Sequence, residues 1–322
     1  MMSVESYPCS SFLESNQGKT LMAKNFDWMQ GEGELILRPA NIRKISLFRT
    51  HEWIAQYSSV TFSLFGPDFP TGGVNEKGLA IEALILPEAE SEITGDFQLN
   101  EAEWMQYQLD RYSSVDEVIQ NLKKTGIKRA YVPVHYFLCD RTAKCVVIDP
   151  LSNEFQVYEN LEHKQITNSS LEASTDFLEK PSLYSQRQRS RTLGSLNRYL
   201  RLSKQSIAPS ELSLNTVKEK LDSVKIAGWT KWQIIYDLAN ERLHYKFAAN
   251  TSYQTLNVEK LLNQTCSEDI LSADIMVNNF SSKLTVDNLL KQKVIKRLQK
   301  TAGINDSIIE AIKMKSFKNN CL

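Results

Sequence analysis

Residues 9–28 read CSSFLESNQGKTLMAKNFDW, and their reading decides the fold. A cysteine with two hydroxyl neighbours opens a strand-like run. Asn16-Gln17-Gly18 supplies a turn, and a second strand-like run ends in Lys24-Asn25-Phe26-Asp27-Trp28. Two short strand-forming runs around an Asn/Gly turn predict a β-hairpin. With the turn centred near Gln17, Cys9 falls opposite Lys24 or Asn25, with Asp27 close by. A thiol, an ammonium and a carboxylate then share one end of one hairpin. Lys24 and Asp27 lie an odd number of positions apart, so a regular strand points them to opposite faces. A bulge or the strand end has to intervene if both serve one site.

Read alone, Cys9 has two meanings. A small cysteine at a strand end is commonly a core residue. It can also become the first residue of the working protein, because the eight residues MMSVESYP form a short, disposable leader. A freed α-amine has a pKa of about 7.7–8.0, near neutrality. It can serve as the base for its own thiol, with Asp27 orienting the amine and Lys24 favouring the thiolate.

Composition narrows the classes. At 322 residues the chain can bury a large core as one domain or two. Lys+Arg and Asp+Glu balance at 38 each, so no global field favours nucleic acid or an anionic membrane. No apolar run approaches the roughly 18–20 residues of a membrane span, so stable membrane insertion is not expected. MMSVESYP lacks the basic and apolar segments of a signal peptide. The expectation is a cytoplasmic protein, or a periplasmic or secreted one if an export signal is missing from the sequence. The five cysteines are odd in number and widely scattered, with no CxxC, which argues against a disulfide framework and a zinc site.

Further strands are expected at Val60–Phe65, Leu79–Leu86, Tyr131–Cys139, Cys145–Ile148, Glu154–Tyr158, Thr230–Leu238 and Arg242–Phe247. Asn100 and Ser114, each followed three residues later by Glu, read as helix starts, with Gly126 as the second helix's stop. Residues 180–222 read as partly helical, and Thr285–Lys300 and Ser307–Met314 as basic C-terminal helices. Strands and helices alternate in hairpin-like blocks, which predicts an α+β architecture. The chain carries no GxSxG, HExxH, P-loop or strand-linked GxGxxG. None of its four histidines has metal-ligand spacing.

Six stretches occur in a recognisable order: CSSFL…AKNFDW, PTGGVNEKGLAIEAL, LNEAEWMQYQLDRYSSVDEVI, ITNSS, SLNRYLR and TKWQIIYDL. In this order they resemble the choloylglycine hydrolases, the linear-amide C–N hydrolases that include bile salt hydrolases and penicillin V acylases. The likeness runs over about residues 9–260. It implies a four-layer αββα N-terminal nucleophile hydrolase sandwich, two antiparallel sheets between helices. The expected organisation is a leader at 1–8, a catalytic domain at 9–280 and a helical extension at 281–322.

The resemblance also implies roles. Cys9 matches the attacking nucleophile and Asp27 the residue that holds its α-amine. Asn168 matches the oxyanion donor, and Arg198 the arginine that supports the nucleophile. Read without the family, Asn168 is a turn residue and Arg198 part of a solvated helix face. Lys24 stands where bile salt hydrolases usually carry Arg, and the Asn that follows their NEKGL strand is missing. The nearest positions are Glu82 and Ile85. Glu82 is therefore expected either to face a polar substrate group or to lie on the surface, and Trp28 and Phe65 to line an acyl pocket. The implied partner is a small-molecule acyl amide, with no metal or organic cofactor. The basic C-terminal helices lie outside the resemblance and are expected to serve packing or homo-oligomer contact. The competing reading is an inactive small-molecule binding protein in which Cys9 stays unprocessed.

Overall fold

The computed structural model describes residues 8–29, 33–64, 69–184, 194–248, 250–262 and 269–272. The strands of the two large sheets begin with β1 (Ser10–Asn16), β2 (Lys19–Asp27), β3 (Glu34–Arg38) and β4 (Ser59–Ser63). They continue with β5 (Pro70–Asn75), β6 (Ala80–Ile85), β7 (Val134–Cys139), β8 (Cys145–Leu151) and β9 (Glu154–Tyr158). The last are β10 (Gln165–Ile166), β11 (Thr230–Asp237), β12 (Arg242–Phe247), β13 (Gln254–Asn257) and β14 (Asp269–Ser272). One sheet has the order β10-β1-β2-β11-β12-β13 and the other β9-β8-β7-β6-β5-β4-β3-β14. Neighbouring strands within each are antiparallel.

Strand alternation builds the middle layer. Met22 and Phe26 of β2 and Ile234 and Tyr236 of β11 meet Val60 and Phe62 of β4, Leu84 of β6 and Phe137 of β7 in one buried cluster between the sheets. The opposite faces are covered by helices. Trp104, Met105 and Leu109 of α1 (Glu101–Arg111), with Val115 and Val118 of α2 (Val115–Asn121), pack on Tyr136, Leu138, Val146 and Ile148. On the other side, Val217 and Leu221 of α5 (Leu214–Ser223) and Leu202 of α4 (Ser195–Lys204) pack on Phe12, Ala23 and Ile235. The chain before them forms α3 (Leu171–Glu179). Helix, sheet, sheet, helix is the expected four-layer arrangement.

The local expectations hold with small shifts. Asn100 caps α1 in a full capping box with Glu103, and the Ser114 side chain caps α2. Gly126 does not stop α2. That helix ends at Asn121, and Gly126 lies in a short strand, Thr125–Lys128. Its lack of a side chain serves close approach, since a Cβ there would meet the Ile93 carbonyl oxygen at 2.2 Å. Cys139 and Cys145 correct the cysteine reading. They are directly opposed across the β7–β8 hairpin and disulfide-bonded, leaving Cys9 as the free cysteine among the described residues. Spacing hid the pair because the hairpin, not a motif, brings the residues together. The leader up to Tyr7, the helices expected at 285–314 and the boundary at 280 lie outside the described residues.

Gly72 on β5 is required by packing. A Cβ there would lie 2.0 Å from the Glu82 carboxylate, which is fully buried and held by partners from the other sheet. Gly72→Ala is therefore expected to destabilise the protein by about 1–3 kcal/mol, the usual cost of overpacking. Urea denaturation beside wild type measures it.

Candidate active site

The β1–β2 register runs from Asn16↔Lys19 to Ser11↔Lys24 and Ser10↔Asn25. Cys9 thus lies one position further along than expected, because the turn is the residue pair Gln17-Gly18 rather than one centred on Gln17. Gly18 adopts a φ of 97°, a left-handed conformation that glycine takes without steric cost. The bulge anticipated near Asp27 is present, but in the neighbouring strand. β11 shifts register between Thr230, which pairs with Asp27, and Trp232, which pairs with Phe26. Cys9 is buried at the head of β1, its Sγ 3.9 Å from the Asp27 carbonyl oxygen.

Asn168 arrives by strand pairing. Ile166 of β10 pairs with Ser11, so two residues later the chain passes Cys9. The Cys9 backbone nitrogen donates to Asn168 Oδ1 at 2.6 Å. Arg198 Nη2 donates to the same oxygen at 2.9 Å, and Asn168 Nδ2 donates to the Ile85 carbonyl at 2.9 Å. Donors on one side and a carbonyl on the other fix the orientation of the carboxamide. Arg198 is fully buried, not on a solvated face. Its Nη1 donates to the Cys9 carbonyl oxygen and, at 2.6 Å, to Ser10 Oγ.

Three residues that the sequence reading missed hold this segment. Ser195, one turn before Arg198, accepts from the Asn168 backbone N–H at 2.8 Å and contacts the hydroxyls of Thr167 at 2.9 Å and Ser169 at 2.8 Å. From the other side, His135 donates through Nε2 to the Thr167 carbonyl at 2.7 Å, and its Nδ1 lies 2.8 Å from Asp149 Oδ1. Asp149 Oδ2 accepts from the Leu171 N–H at the start of α3. No local pattern announces this clamp, because its members come from separate elements.

The family model of the linear amide C–N hydrolases, choloylglycine hydrolase family, matches residues 9–180. The chain belongs to this family. A penicillin V acylase of Pectobacterium atrosepticum is 27% identical over 190 residues, covering 52% of this chain and 50% of that protein. The chain thus spans about half the length of this curated relative. Among solved structures, a variant of the conjugated bile acid hydrolase of Clostridium perfringens superposes with a TM-score of 0.68 at 16% identity, covering 87% of this chain and 100% of that one. A penicillin V acylase of Agrobacterium tumefaciens gives 0.65 at 18% identity, covering 82% and 90%. At such identities the likeness is one of fold, and that fold is the N-terminal nucleophile hydrolase sandwich.

In this choloylglycine hydrolase family member Glu82 neither lines the cleft nor reaches the surface, as either expectation had it. It is buried between the sheets, where it accepts from Lys24 Nζ and, at 2.5 Å, from the Tyr236 hydroxyl. Lys24 Nζ also donates to the carbonyls of Thr71 at 2.8 Å and Ala83 at 3.2 Å. An ammonium has three N–H groups, and these three acceptors take them all. Lys24 therefore acts on the site through its charge and through the two strands it ties, not as a hydrogen-bond donor to a ligand.

A cleft of about 750 Å³, its open mouth included, adjoins the thiol. Cys9, Phe26, Trp28, Phe69, Ile85 and Val134 are among its lining residues. Trp28 is on the wall of this cleft, and Phe65 lies outside the described residues. No group of three or more His, Cys, Asp or Glu side chains among the described residues is placed to hold a metal ion. None of the described helices is long and apolar enough to cross a membrane.

Burial dominates the electrostatics. It pushes the Cys9 thiol up to about 11, against the opposing charges of Lys24 and Arg198. It raises Asp27 to about 7, with Arg198, Thr230 and Lys24 working in the other direction. Thr230, which pairs with Asp27 on the neighbouring strand, is the residue whose hydroxyl faces this buried carboxylate.

Two outcomes are expected. With its nitrogen still in a peptide bond, Cys9 is alkylated slowly near neutral pH and speeds up only as pH approaches about 11. Iodoacetamide labelling across pH, read by peptide mass spectrometry, measures this. Asp27 is ionised more readily in the unfolded chain, so its stability penalty grows as pH rises from its ordinary 3.8 to about 7 and then levels off. Asp27→Asn should therefore gain stability relative to wild type across that window, as read by denaturation at its two ends.

Proposed function

We propose that this protein is a cysteine N-terminal nucleophile amidohydrolase that cleaves a linear, non-peptide amide of an apolar carboxylic acid. The observation that carries the reading is the meeting of Cys9, Asn168 and Arg198 at the edge of an apolar cleft. Removal of the residues before Cys9 converts its amide nitrogen into an α-amine that keeps Asn168 Oδ1 as acceptor, with the buried Asp27 carboxylate nearby. An amine titrating at about 7.7–8.0 matches the need for a base at neutral pH.

The amine takes the thiol proton and the thiolate attacks the amide carbon. Lys24 and Arg198 stabilise the thiolate electrostatically, offsetting the burial that otherwise keeps the thiol protonated. One N–H of the Asn168 amide is engaged by Ile85, and the other is the side-chain donor to the tetrahedral oxygen. Collapse expels the amine product, which takes the proton held by the α-amine, and leaves a thioester on Cys9. Water, deprotonated by the same α-amine, attacks the thioester and releases the acid.

The cleft supports an uncharged acyl group. Glu101 is the one charged side chain among its described lining residues, and backbone N–H groups occupy both its oxygens. Thr71 turns its hydroxyl to the Phe62 carbonyl at 3.2 Å. Phenoxyacetyl or fatty acyl groups suit such a slot better than a polyhydroxylated one.

Intact mass of the purified protein and of Cys9→Ser, followed by a panel of acyl amides, tests the proposal. The expected result is loss of the residues before Cys9 in wild type but not in Cys9→Ser, with hydrolysis only by the processed form. Asn168→Ala should lower kcat about 100- to 1000-fold, as loss of an oxyanion donor does. Processed protein that turns over no acyl amide would overturn the reading.

A further inference from the structure

Glu101 opens α1 and is buried beneath the cleft. Its carboxylate accepts from three consecutive backbone N–H groups, Ala130 at 2.8 Å, Tyr131 at 2.6 Å and Val132 at 2.7 Å. Pro133 follows and has no N–H to offer. Residues 129–133 form no helix or strand. Backbone bonds hold the two ends, Arg129 N–H to the Ser91 carbonyl at 2.8 Å and Leu86 N–H to the Pro133 carbonyl at 3.0 Å, and the carboxylate takes the three N–H groups between them. Tyr131 and Val132 line the cleft, and the Tyr131 ring packs on Phe69, another lining residue, with centroids 4.3 Å apart. The Glu101 carbonyl in turn accepts from the Tyr136 hydroxyl at 2.9 Å, fixing the helix start to β7.

We infer that Glu101 is a specificity-determining positioning residue: its carboxylate fixes the 130–132 segment as a wall of the acyl subsite and thereby sets which acyl lengths bind. The inference rests on the cleft being the acyl subsite. Only a carboxylate meets the requirement. Three converging N–H groups need acceptors on both oxygens, and glutamine would turn an NH2 toward at least one of them. Burial raises the Glu101 carboxyl while the three N–H groups hold it down. Glu101 acts on the wall, not on the reacting atoms, so its loss should appear in KM and in acyl preference rather than in kcat.

The experiment compares butyryl, octanoyl and lauroyl p-nitroanilides as substrates of the processed enzyme, wild type against Glu101→Gln, Tyr131→Ala and Val132→Ala. Glu101→Gln is expected to raise KM for the preferred acyl group about tenfold and flatten the preference, with kcat within about twofold. Tyr131→Ala and Val132→Ala should shift the preference toward the longer chain with Glu101 intact. An unchanged preference in folded Glu101→Gln, or a fall in kcat with the KM ratios preserved, overturns the inference. Should Glu101→Gln fail to fold, an unchanged preference in both wall variants overturns it. If wild type hydrolyses none of the three, the reading as an amidohydrolase is what fails. Binding of the free acids to Cys9→Ser and to its Glu101→Gln derivative, by calorimetry, then decides the wall on its own: equal chain-length dependence overturns it and a flattened one supports it.

Discussion

The buried guanidinium of Arg198 is the interaction on which the site's geometry depends. A charge without solvent must be matched by acceptors, and removing one partner of such a group costs several kcal/mol. Arg198 finds its acceptors in the Cys9 carbonyl, the Ser10 hydroxyl and the Asn168 carboxamide oxygen. Its need for partners thus joins the first strand, the segment after β10 and helix α4 at one point. Because Asn168 Oδ1 also accepts from the Cys9 nitrogen, the same contacts set where that nitrogen sits. Ser195 on one side and the His135–Asp149 pair on the other hold the Asn168 backbone in that position.

A second constraint runs between the sheets. Lys24 and Tyr236 come from one sheet, Glu82 from the other, and all are buried. Lys24 binds the carbonyls of Thr71 and Ala83, both lining residues of the cleft. The polar triad therefore shapes the apolar wall while its charge acts on the thiol. Gly72 leaves room for the Glu82 carboxylate, so a glycine in a strand, ordinarily a weak choice, is explained by side-chain packing across the sheet.

The hairpin of residues 10–27 was legible because turn residues and strand formers are local signals, as were the Asn100 and Ser114 caps. The ordered motifs placed Cys9, Asn168 and Arg198 together, and the structure brings them into contact. What escaped was set by register and by distance along the chain. A two-residue turn moved Cys9 by one position. A directly opposed hairpin pair made a disulfide of Cys139 and Cys145 that their spacing did not suggest. Glu82 was misread because its sequence surroundings reveal the strand it occupies but not the cation and hydroxyl facing it.

The sequence by itself determined the hairpin, the alternation that lets two sheets bury a common face, the helix caps and the family. Periodicity and capping act over a few residues and are written in order. Tertiary structure alone decided that Lys24 has no N–H left for a ligand, that Glu101 anchors a loop thirty residues away, and that Arg198 faces inward. Each depends on how buried polar groups satisfy one another in three dimensions, and that matching is made between segments that the linear order keeps apart.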